Sequence, residues 1–195
     1  MNRRISGDER RTELMLVAER LFANRPYADI SVQEIADEAG VARGLIHHYF
    51  GGKDDVLAAV IREMIPERTP APLDVSMPLS QRVDARLDML IAALEHHSEG
   101  WLATLATGPN LPDGPLKEAA DALWDTQYEV WVKTFSDVLE DNGRTRALYT
   151  AYLGLNQATC RMWLNGELSR GDAKLILRTA LEALLEQAGP ELAGP

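Results

Sequence analysis

The sequence predicts an all-α protein, and two observations support that prediction. Several long stretches repeat apolar residues every three or four positions, as one face of a helix does, and none alternates convincingly between apolar and polar residues. Proline, glycine and asparagine separate these stretches where helices are expected to end. At 195 residues, the chain can bury a core without help from a metal or a disulfide.

Charge and cysteine content narrow the class of protein. The formal net charge of -10 argues against a polycation that coats nucleic acid, but it leaves room for a small DNA-reading patch, with a basic cluster at Arg3, Arg4, Arg10 and Arg11. The single cysteine, Cys160, cannot form an intramolecular disulfide. There is no long apolar run and no basic-then-apolar leader, so we expect a cytoplasmic protein with no membrane partner.

Two helices are predicted before residue 40. The first spans about 8–24, with Pro26 just beyond its end. Ser31 and Glu34 have the spacing of a capping box, which predicts the start of a short second helix. Gly40 suits the left-handed position that closes this helix.

Two more helices follow after a tight turn. A short third helix is predicted over 42–49, and Gly51–Gly52 ends it. A fourth helix over 53–65 begins with Asp54 and Asp55, which are favourable at the positive end of a helix.

The second and third helices, joined by a turn that contains glycine, predict a helix-turn-helix braced by the first helix. In that geometry the helix at 42–49 fits the major groove. Its internal core is predicted to contain Ile35, Ala36, Ala39, Val41 and Ile46. The residues left to face outwards are Arg43, Gly44, Leu45, His47 and His48.

A proline-rich segment over 66–78 is the best candidate boundary in the chain. Beyond it, a glycine- and proline-rich loop is predicted at 108–114 and a sharp turn at 141–143. Helices are expected near 79–98, 100–107, 114–141, 144–165 and 172–188.

Many positions over roughly 10–65 resemble, in order and spacing, the N-terminal signature of the TetR family of transcriptional repressors. The matching residues are Phe22, Ile30, Ser31, Val32, Ile35, Ala36, Ala39, Gly40, Val41, Arg43, Gly44, Ile46, His48, Tyr49, Phe50, Lys53 and Leu57. The resemblance implies a helix-turn-helix DNA-binding domain over 1–52. It also implies a larger helical effector-binding and dimerisation domain over 53–195, with the helix at 53–65 connecting the two.

The resemblance further implies a homodimer that places two reading helices in successive major grooves of a palindromic operator and is released from it by a small molecule. The DNA-contacting residues carried over by position are Ser31, Val32, Arg43, Gly44, Leu45, His47, His48, Tyr49 and Lys53. Arg43 can contact guanine with two hydrogen bonds, Gly44 lets the backbone approach the groove, and Lys53 suits a phosphate.

Three positions depart from the family's common pattern. Ala42, Leu45 and His47 stand where Ser, Thr and Tyr are frequent, so two or three hydroxyl contacts to DNA are expected to be missing. Leu45 can instead touch a thymine methyl group, and His47 can donate to a base edge or a phosphate. The operator sequence therefore cannot be borrowed from a relative.

Aromatic residues concentrate after residue 100 and suggest an effector pocket. Trp124, Tyr128, Trp131 and Phe135 share one helix face, which is consistent either with a core or with the wall of a pocket. We expect a hydrophobic, aromatic or extended ligand. Its candidate contacts are His96, Trp101, Trp124, Tyr128, Trp131, Tyr152, Asn156, Gln157 and Trp163.

The last two predicted helices, over 144–165 and 172–188, carry many leucines, and one copy of the chain offers few remaining surfaces to cover them. Together with the resemblance, this predicts that they pair with a second copy as a four-helix bundle. The leucines concerned are Leu148, Leu155, Leu164, Leu175, Leu177, Leu181, Leu184 and Leu185.

No metal, cofactor or catalytic site is predicted. The pairs His47–His48 and His96–His97 are adjacent in sequence, and neighbouring side chains on a helix diverge by about 100°, whereas helical zinc motifs use i, i+4 spacing. A ligand-independent or activating regulator of the same fold is the alternative. An enzyme with a pocket in the C-terminal domain is the alternative from another class, and it lacks a recognisable set of catalytic groups.

Overall fold

The computed structural model describes residues 6–25, 27–64, 70–96 and 111–188, and in these ranges the regular secondary structure is helical throughout, as predicted. A 3-10 turn over Tyr27–Asp29 precedes the helix Val32–Glu38, and a π-helical turn over Leu184–Ala188 continues the helix Arg170–Ala183. The helices are α1 (Gly7–Asn24), α2 (Val32–Glu38), α3 (Arg43–Tyr49), α4 (Lys53–Met64), α5 (Leu79–His96), α6 (Pro115–Thr134), α7 (Gly143–Leu164) and α8 (Arg170–Ala183).

The chain divides into two compact units, the first formed by residues 1–69 with 97–124 and the second by residues 70–96 with 125–195. In the first unit, α4 packs against α1 and α2 packs against α3. Phe22, Ile46 and Leu57 are central to the shared core, and Leu116 and Leu123 from the first half of α6 join it. The predicted helix-turn-helix therefore rests on an apolar core that includes α4.

In the second unit, α8 packs against both α5 and α7. Its buried face carries Ala173, Leu177 and Leu181 at helical spacing. Three ion pairs then run along the α5–α8 seam: Arg170 with Glu95, Lys174 with Asp88, and Arg178 with Asp84. Because these side chains are largely exposed, the pairs fix the register of the helices more than they stabilise them.

The predicted helix over 114–141 is wrong at its C-terminal end, because α6 stops at Thr134. The guanidinium of Arg82 donates to the Thr134 carbonyl at 2.6 Å and so occupies an acceptor that a continuing helix would use. The Thr134 hydroxyl donates to the Val130 carbonyl and also accepts from the amide of Leu73 at 3.2 Å. These contacts come from distant positions, and periodicity alone does not reveal them.

The expected helix over 100–107, with Trp101, lies outside the described residues, as does the side chain of His96. The predicted turn at 141–143 is present, and Asn142 caps α7 by accepting from the amide of Thr145 at 2.9 Å. None of the described helices is long and apolar enough to cross a bilayer.

Candidate nucleic-acid interface

The turn between α2 and α3 is set by one glycine. Gly40 has a φ of 64°, in the left-handed region that favours glycine. Its amide donates to the Asp37 carbonyl, and the amide of Val41 donates to the Ala36 carbonyl at 2.9 Å. These two bonds form a Schellman motif, which ends α2 and turns the chain directly into α3.

The start of α2 has the capping box that the sequence predicts. The Ser31 hydroxyl accepts from the Glu34 amide at 3.1 Å, and a Glu34 carboxylate oxygen accepts from the Ser31 amide at 2.8 Å. Arg25 donates to the other Glu34 oxygen, and this bond, followed by those from Ser31, lowers the pKa of Glu34 to about 2. Ser31 is exposed beside this box, while Val32 is half-buried against the core.

The helix α3 is held by its buried face and presents its other residues outwards. Ile46 is fully buried, whereas Arg43 and Gly44 are exposed and Leu45 is half-buried. A Cβ added to Gly44 would meet nothing within 4 Å, so no packing requirement within the chain keeps this position a glycine. An exposed Arg beside a bare stretch of helix backbone is suited to the floor of a major groove.

The two histidines of α3 are exposed and have different partners. Nδ1 of His47 donates to the Gly51 carbonyl, so Nε2 is the ring nitrogen left to meet a base edge. The ring of His48 instead meets the ring of Tyr49 edge-on at 5.3 Å. Within the described ranges, no group of three or more His, Cys, Asp and Glu side chains is placed to hold a metal ion.

Lys53 begins α4 and is anchored next to Tyr27. Its ammonium donates to the Tyr27 carbonyl at 2.9 Å and lies 4.0 Å from the centroid of the Tyr27 ring. The Tyr27 hydroxyl donates to Asp54, so the ring is fixed as well. Partial burial lowers the pKa of Lys53, and the charges of Asp29 and Glu34 oppose that change. The ammonium is therefore held beside Tyr27, and two of its three protons are free of the Tyr27 bond.

Ala42 occupies the N-cap of α3 and makes no side-chain cap bond. This is the position where the family's usual Ser would accept from the helix. In the basic cluster, Arg10 pairs with Glu13, and Arg11 pairs with Glu63 and lies over the Phe50 ring. Both arginines are therefore ion-paired within the first unit, and nearby carboxylates partly offset their positive charges.

The structure distributes the candidate effector contacts over both units. Trp124 is half-buried in the first unit. In the second unit, Tyr128 and Trp131 are buried, and their rings lie 5.4 and 5.3 Å from the ring of Tyr149. Tyr152 is buried one turn further along α7. The aromatic face of α6 therefore lies mostly in the core, which is one of the two interpretations that the sequence allowed.

The remaining candidates lie along α7. Asn156 accepts from the Cys160 thiol at 3.0 Å, and Asn156, Gln157 and Trp163 are all half-buried. Burial raises the pKa of the Cys160 thiol to about 11. Cys160 therefore fills space as a small apolar residue.

Sequence reasoning overlooked two arginines of α5. Arg82 and Arg86 are one turn apart and interrupt an apolar face formed by Val83, Leu87 and Ile91. A charged residue on the apolar face of a helix is the signal that could have identified them, because burying such a residue requires a partner. Arg82 has one in Asp137, whereas Arg86 has a buried Nη1 with no hydrogen-bond partner.

A buried anchor, a glycine turn and an exposed short helix together define a helix-turn-helix DNA-binding regulator. Residues 14–60 match the family model described as bacterial regulatory proteins, tetR family. The chain accordingly carries an N-terminal domain similar to the DNA-binding domain of TetR-family transcription regulators.

Two relatives and one solved structure are similar to this chain. The HTH-type transcriptional activator FasR of Mycolicibacterium smegmatis is 25% identical over 175 residues, which cover 84% of this chain and 76% of FasR. The HTH-type transcriptional regulator BetI of Brucella anthropi is 47% identical over 58 residues, about 30% of each chain. The crystal structure of a tetR-family transcriptional regulator from Streptomyces coelicolor covers 96% of this chain and 87% of its own, with 24% identity and a TM-score of 0.69. These relatives are regulators and not enzymes.

Proposed function

We propose that the protein is a homodimeric repressor that a small molecule releases from a palindromic operator. The observation that carries the proposal is the surface of α3, where Arg43, Gly44, His47 and His48 are exposed while Ile46 anchors the helix in the core. This division of roles is the one a recognition helix needs. Tyr49, half-buried at the end of α3, and Lys53 complete the proposed contact surface with Ser31 and Val32.

Exposed apolar residues on α7 and α8 support the dimer. Leu155 and Met162 lie two turns apart on α7 and are 39% and 40% exposed. On α8, Leu175 and Ile176 are 61% and 38% exposed. Large apolar side chains grouped on two neighbouring helices suit an interface between two copies, because burying them removes apolar area from water. A Leu175→Glu, Ile176→Glu variant should sediment as a monomer and lose cooperative operator binding.

Coupling between ligand and DNA is assigned to α4 and α6. In the first unit, Arg62 of α4 donates to the Pro115 carbonyl and pairs with Glu118 at 3.1 Å. The helix α6 supplies residues 115–124 to the first unit and 125–134 to the second. A ligand that prefers one conformation of α6 would weaken DNA binding by its differential affinity, and DNA would weaken ligand binding by the same factor.

Selection of bound sites from a random DNA pool tests the proposal. Full-length protein should enrich a palindrome whose half-sites lie about one helical turn apart, with affinity that falls as salt rises. Candidate hydrophobic ligands should then release the selected site and quench tryptophan emission in parallel. Failure to enrich any sequence, or enrichment of a site without symmetry, would count against a dimeric regulator of this kind.

Activation is the second candidate function, because the relative matched over most of the chain, FasR, is described as a transcriptional activator. The same DNA-binding surface serves either outcome. Transcription from a promoter that carries the selected site, with and without the protein, distinguishes them. A repressor lowers transcript yield and an activator raises it.

A further inference from the structure

The two arginines of α5 have opposite electrostatic situations. Arg82 is buried and gives both of its terminal nitrogens to Asp137, at 2.7 and 2.6 Å, while its Nε donates to the Met77 carbonyl. Arg86, one turn later, is half-buried, and its Nη1 is buried without any hydrogen-bond partner. The described groups that raise its pKa are the hydroxyls of Tyr149 and Tyr152, and no carboxylate contributes. Within the part of the chain that the structure describes, Arg86 thus has no carboxylate as counter-ion.

The surroundings of Arg86 contain further unsatisfied polar atoms. Arg86 interacts electrostatically with Tyr149 and Tyr152, which are adjacent on one face of α7. Tyr152 is 95% removed from solvent, yet its hydroxyl has no hydrogen-bond partner. The indole Nε1 of Trp131, whose ring lies 5.3 Å from the ring of Tyr149, is unpartnered as well. The three unpartnered donors lie on α5, α6 and α7, and Tyr149 links them, through its ring contact with Trp131 and its electrostatic interaction with Arg86.

Such a cluster is costly unless something binds to it. A buried polar group without a partner destabilises a fold, and a partly buried guanidinium without a counter-ion does so more strongly. Natural cores satisfy nearly all such groups, and the exceptions concentrate at functional sites. Burial accordingly lowers the pKa of Arg86, against the influence of the two tyrosines, and raises the pKa of both tyrosines.

We propose that Arg86, with the Tyr152 hydroxyl and the Trp131 indole N–H, binds the carboxylate of an effector whose remaining body is apolar. The proposal rests on the proposed function and specifies its ligand class. It replaces a purely hydrophobic ligand with an acid. Tyr152 and Trp131 are among the contacts predicted from the sequence, whereas Arg86 is a contact that the sequence did not suggest.

A carboxylate fits the donors better than other anions do. A guanidinium presents parallel N–H groups that match the two oxygens of a carboxylate, and one positive charge neutralises one negative charge. A phosphate monoester carries a charge of about -1.5 to -2 near neutral pH and would retain uncompensated charge in the same place. The surrounding rings of Tyr128, Tyr149 and Trp131 then suit the apolar body of the ligand.

Matched probes test the charge requirement on the full-length protein. Decanoate is compared with decan-1-ol and decyl phosphate, and 2-naphthoate with 2-naphthalenemethanol, by calorimetry and by quenching of tryptophan emission. We expect each acid to bind about 10- to 100-fold more tightly than its alcohol, the range of a charge-assisted hydrogen bond. Tighter binding of decyl phosphate than of decanoate would overturn the assignment to carboxylate, as would equal binding of acids and alcohols or no binding of either acid at about 1 mM.

Variants then locate the effect at Arg86. Arg86→Met should remove the preference for acids while leaving binding of the alcohols within about twofold, and Arg86→Lys should restore part of it. Tyr152→Phe should weaken acid binding by about fivefold, as the loss of one hydrogen bond does. Arg170→Met, which removes an exposed arginine of α8, is the matched control. It should leave the preference for acid over alcohol unchanged in both pairs of probes. An unchanged acid preference in Arg86→Met would overturn the proposal.

The melting temperature distinguishes an arginine that binds a ligand from one that stabilises the fold. Because Arg86 has no counter-ion, Arg86→Met should keep or raise the melting temperature in the absence of ligand. A marked fall would identify Arg86 as part of the fold and overturn its role as an anchor. Failure of the proposed function gives a different result. A protein that selects no DNA site, but still prefers acids through Arg86, would overturn the regulator proposal and leave the ligand site intact.

Discussion

Arg82 and Asp137 form a two-point ion pair across the second unit, in which the arginine is 1% exposed and the aspartate is 41% exposed. The carboxylate therefore neutralises a cation that cannot reach water. The hydrogen bond from Arg82 lowers the pKa of Asp137 below its usual range, against the effect of partial burial. This pair accompanies the bond from Arg82 to the carbonyl that ends α6.

Replacing Asp137 should destabilise the protein more than replacing an ordinary surface carboxylate. Asp137→Asn leaves the Arg82 guanidinium buried without its counter-ion, and we expect the free energy of unfolding to fall by about 2 kcal/mol. Urea unfolding followed by circular dichroism measures this. Glu129→Gln, which removes the exposed partner of Lys133, is the control and should cost less than about 0.5 kcal/mol. Equal effects of the two substitutions would contradict the structural role of Arg82.

Two glycines of the helix-turn-helix should respond to alanine in opposite ways. Gly40→Ala should lower the free energy of unfolding by about 1–2 kcal/mol, because alanine resists the left-handed conformation even though there is space for its side chain. Gly44→Ala should keep or slightly raise stability, since alanine favours a helix. It should nevertheless weaken DNA binding if the backbone approaches the groove there. Unfolding and mobility-shift measurements on both variants separate the two roles.

Arg43 should determine sequence preference and not general affinity. Arg43→Ala should cost about 1–3 kcal/mol on the selected operator and relax the preference at one base pair of each half-site. Repeating the site selection with the variant measures both effects. Arg144→Ala, an exposed arginine on α7, serves as the control. An enrichment profile identical to that of the wild type would show that Arg43 does not read a base.

Lys53 should behave in the opposite manner. Lys53→Met removes an anchored ammonium, so binding should weaken by a similar factor on specific and unrelated DNA. The slope of log affinity against log salt should become shallower by about 1. Titrations at several salt concentrations measure the slope, and Lys133→Met in the second unit is the control. An unchanged slope would leave Lys53 with a structural role at Tyr27 alone.

Lowering the pH should remove the stabilisation that Glu34 gives to the capping box. The folded pKa of Glu34 is about 2, against an ordinary value of 4.5, so its stabilising effect is complete above about pH 4.5 and is lost as the pH falls towards 2. Glu34→Gln should therefore be less stable than the wild type at pH 7, and the difference should shrink by pH 3. Melting temperatures at the two pH values test this. A difference that grew on acidification would have the wrong sign for a depressed carboxylate pKa.

Local signals in the sequence were sufficient for the helix-turn-helix. Ser31 and Glu34 lie three residues apart, and the chain reversal at Gly40 depends on amides and carbonyls within five positions. The end of α6 was not predictable in the same way, since it depends on Arg82, which lies 52 positions from Thr134. The charge pattern of α5 could have singled out Arg82 and Arg86, but only a folded chain reveals which of the two has found a carboxylate.

The buried cysteine makes the chain convenient for spectroscopy. Burial raises the thiol pKa of Cys160 to about 11, so the reactive thiolate is scarce at pH 7, and its sulfur is shielded from reagents. No other cysteine is present in the sequence. A cysteine introduced at an exposed position such as Arg144 would thus be the one reactive thiol in each copy. Spin labels attached there would report the distance between two copies, and its change on adding ligand or DNA, in the otherwise natural protein.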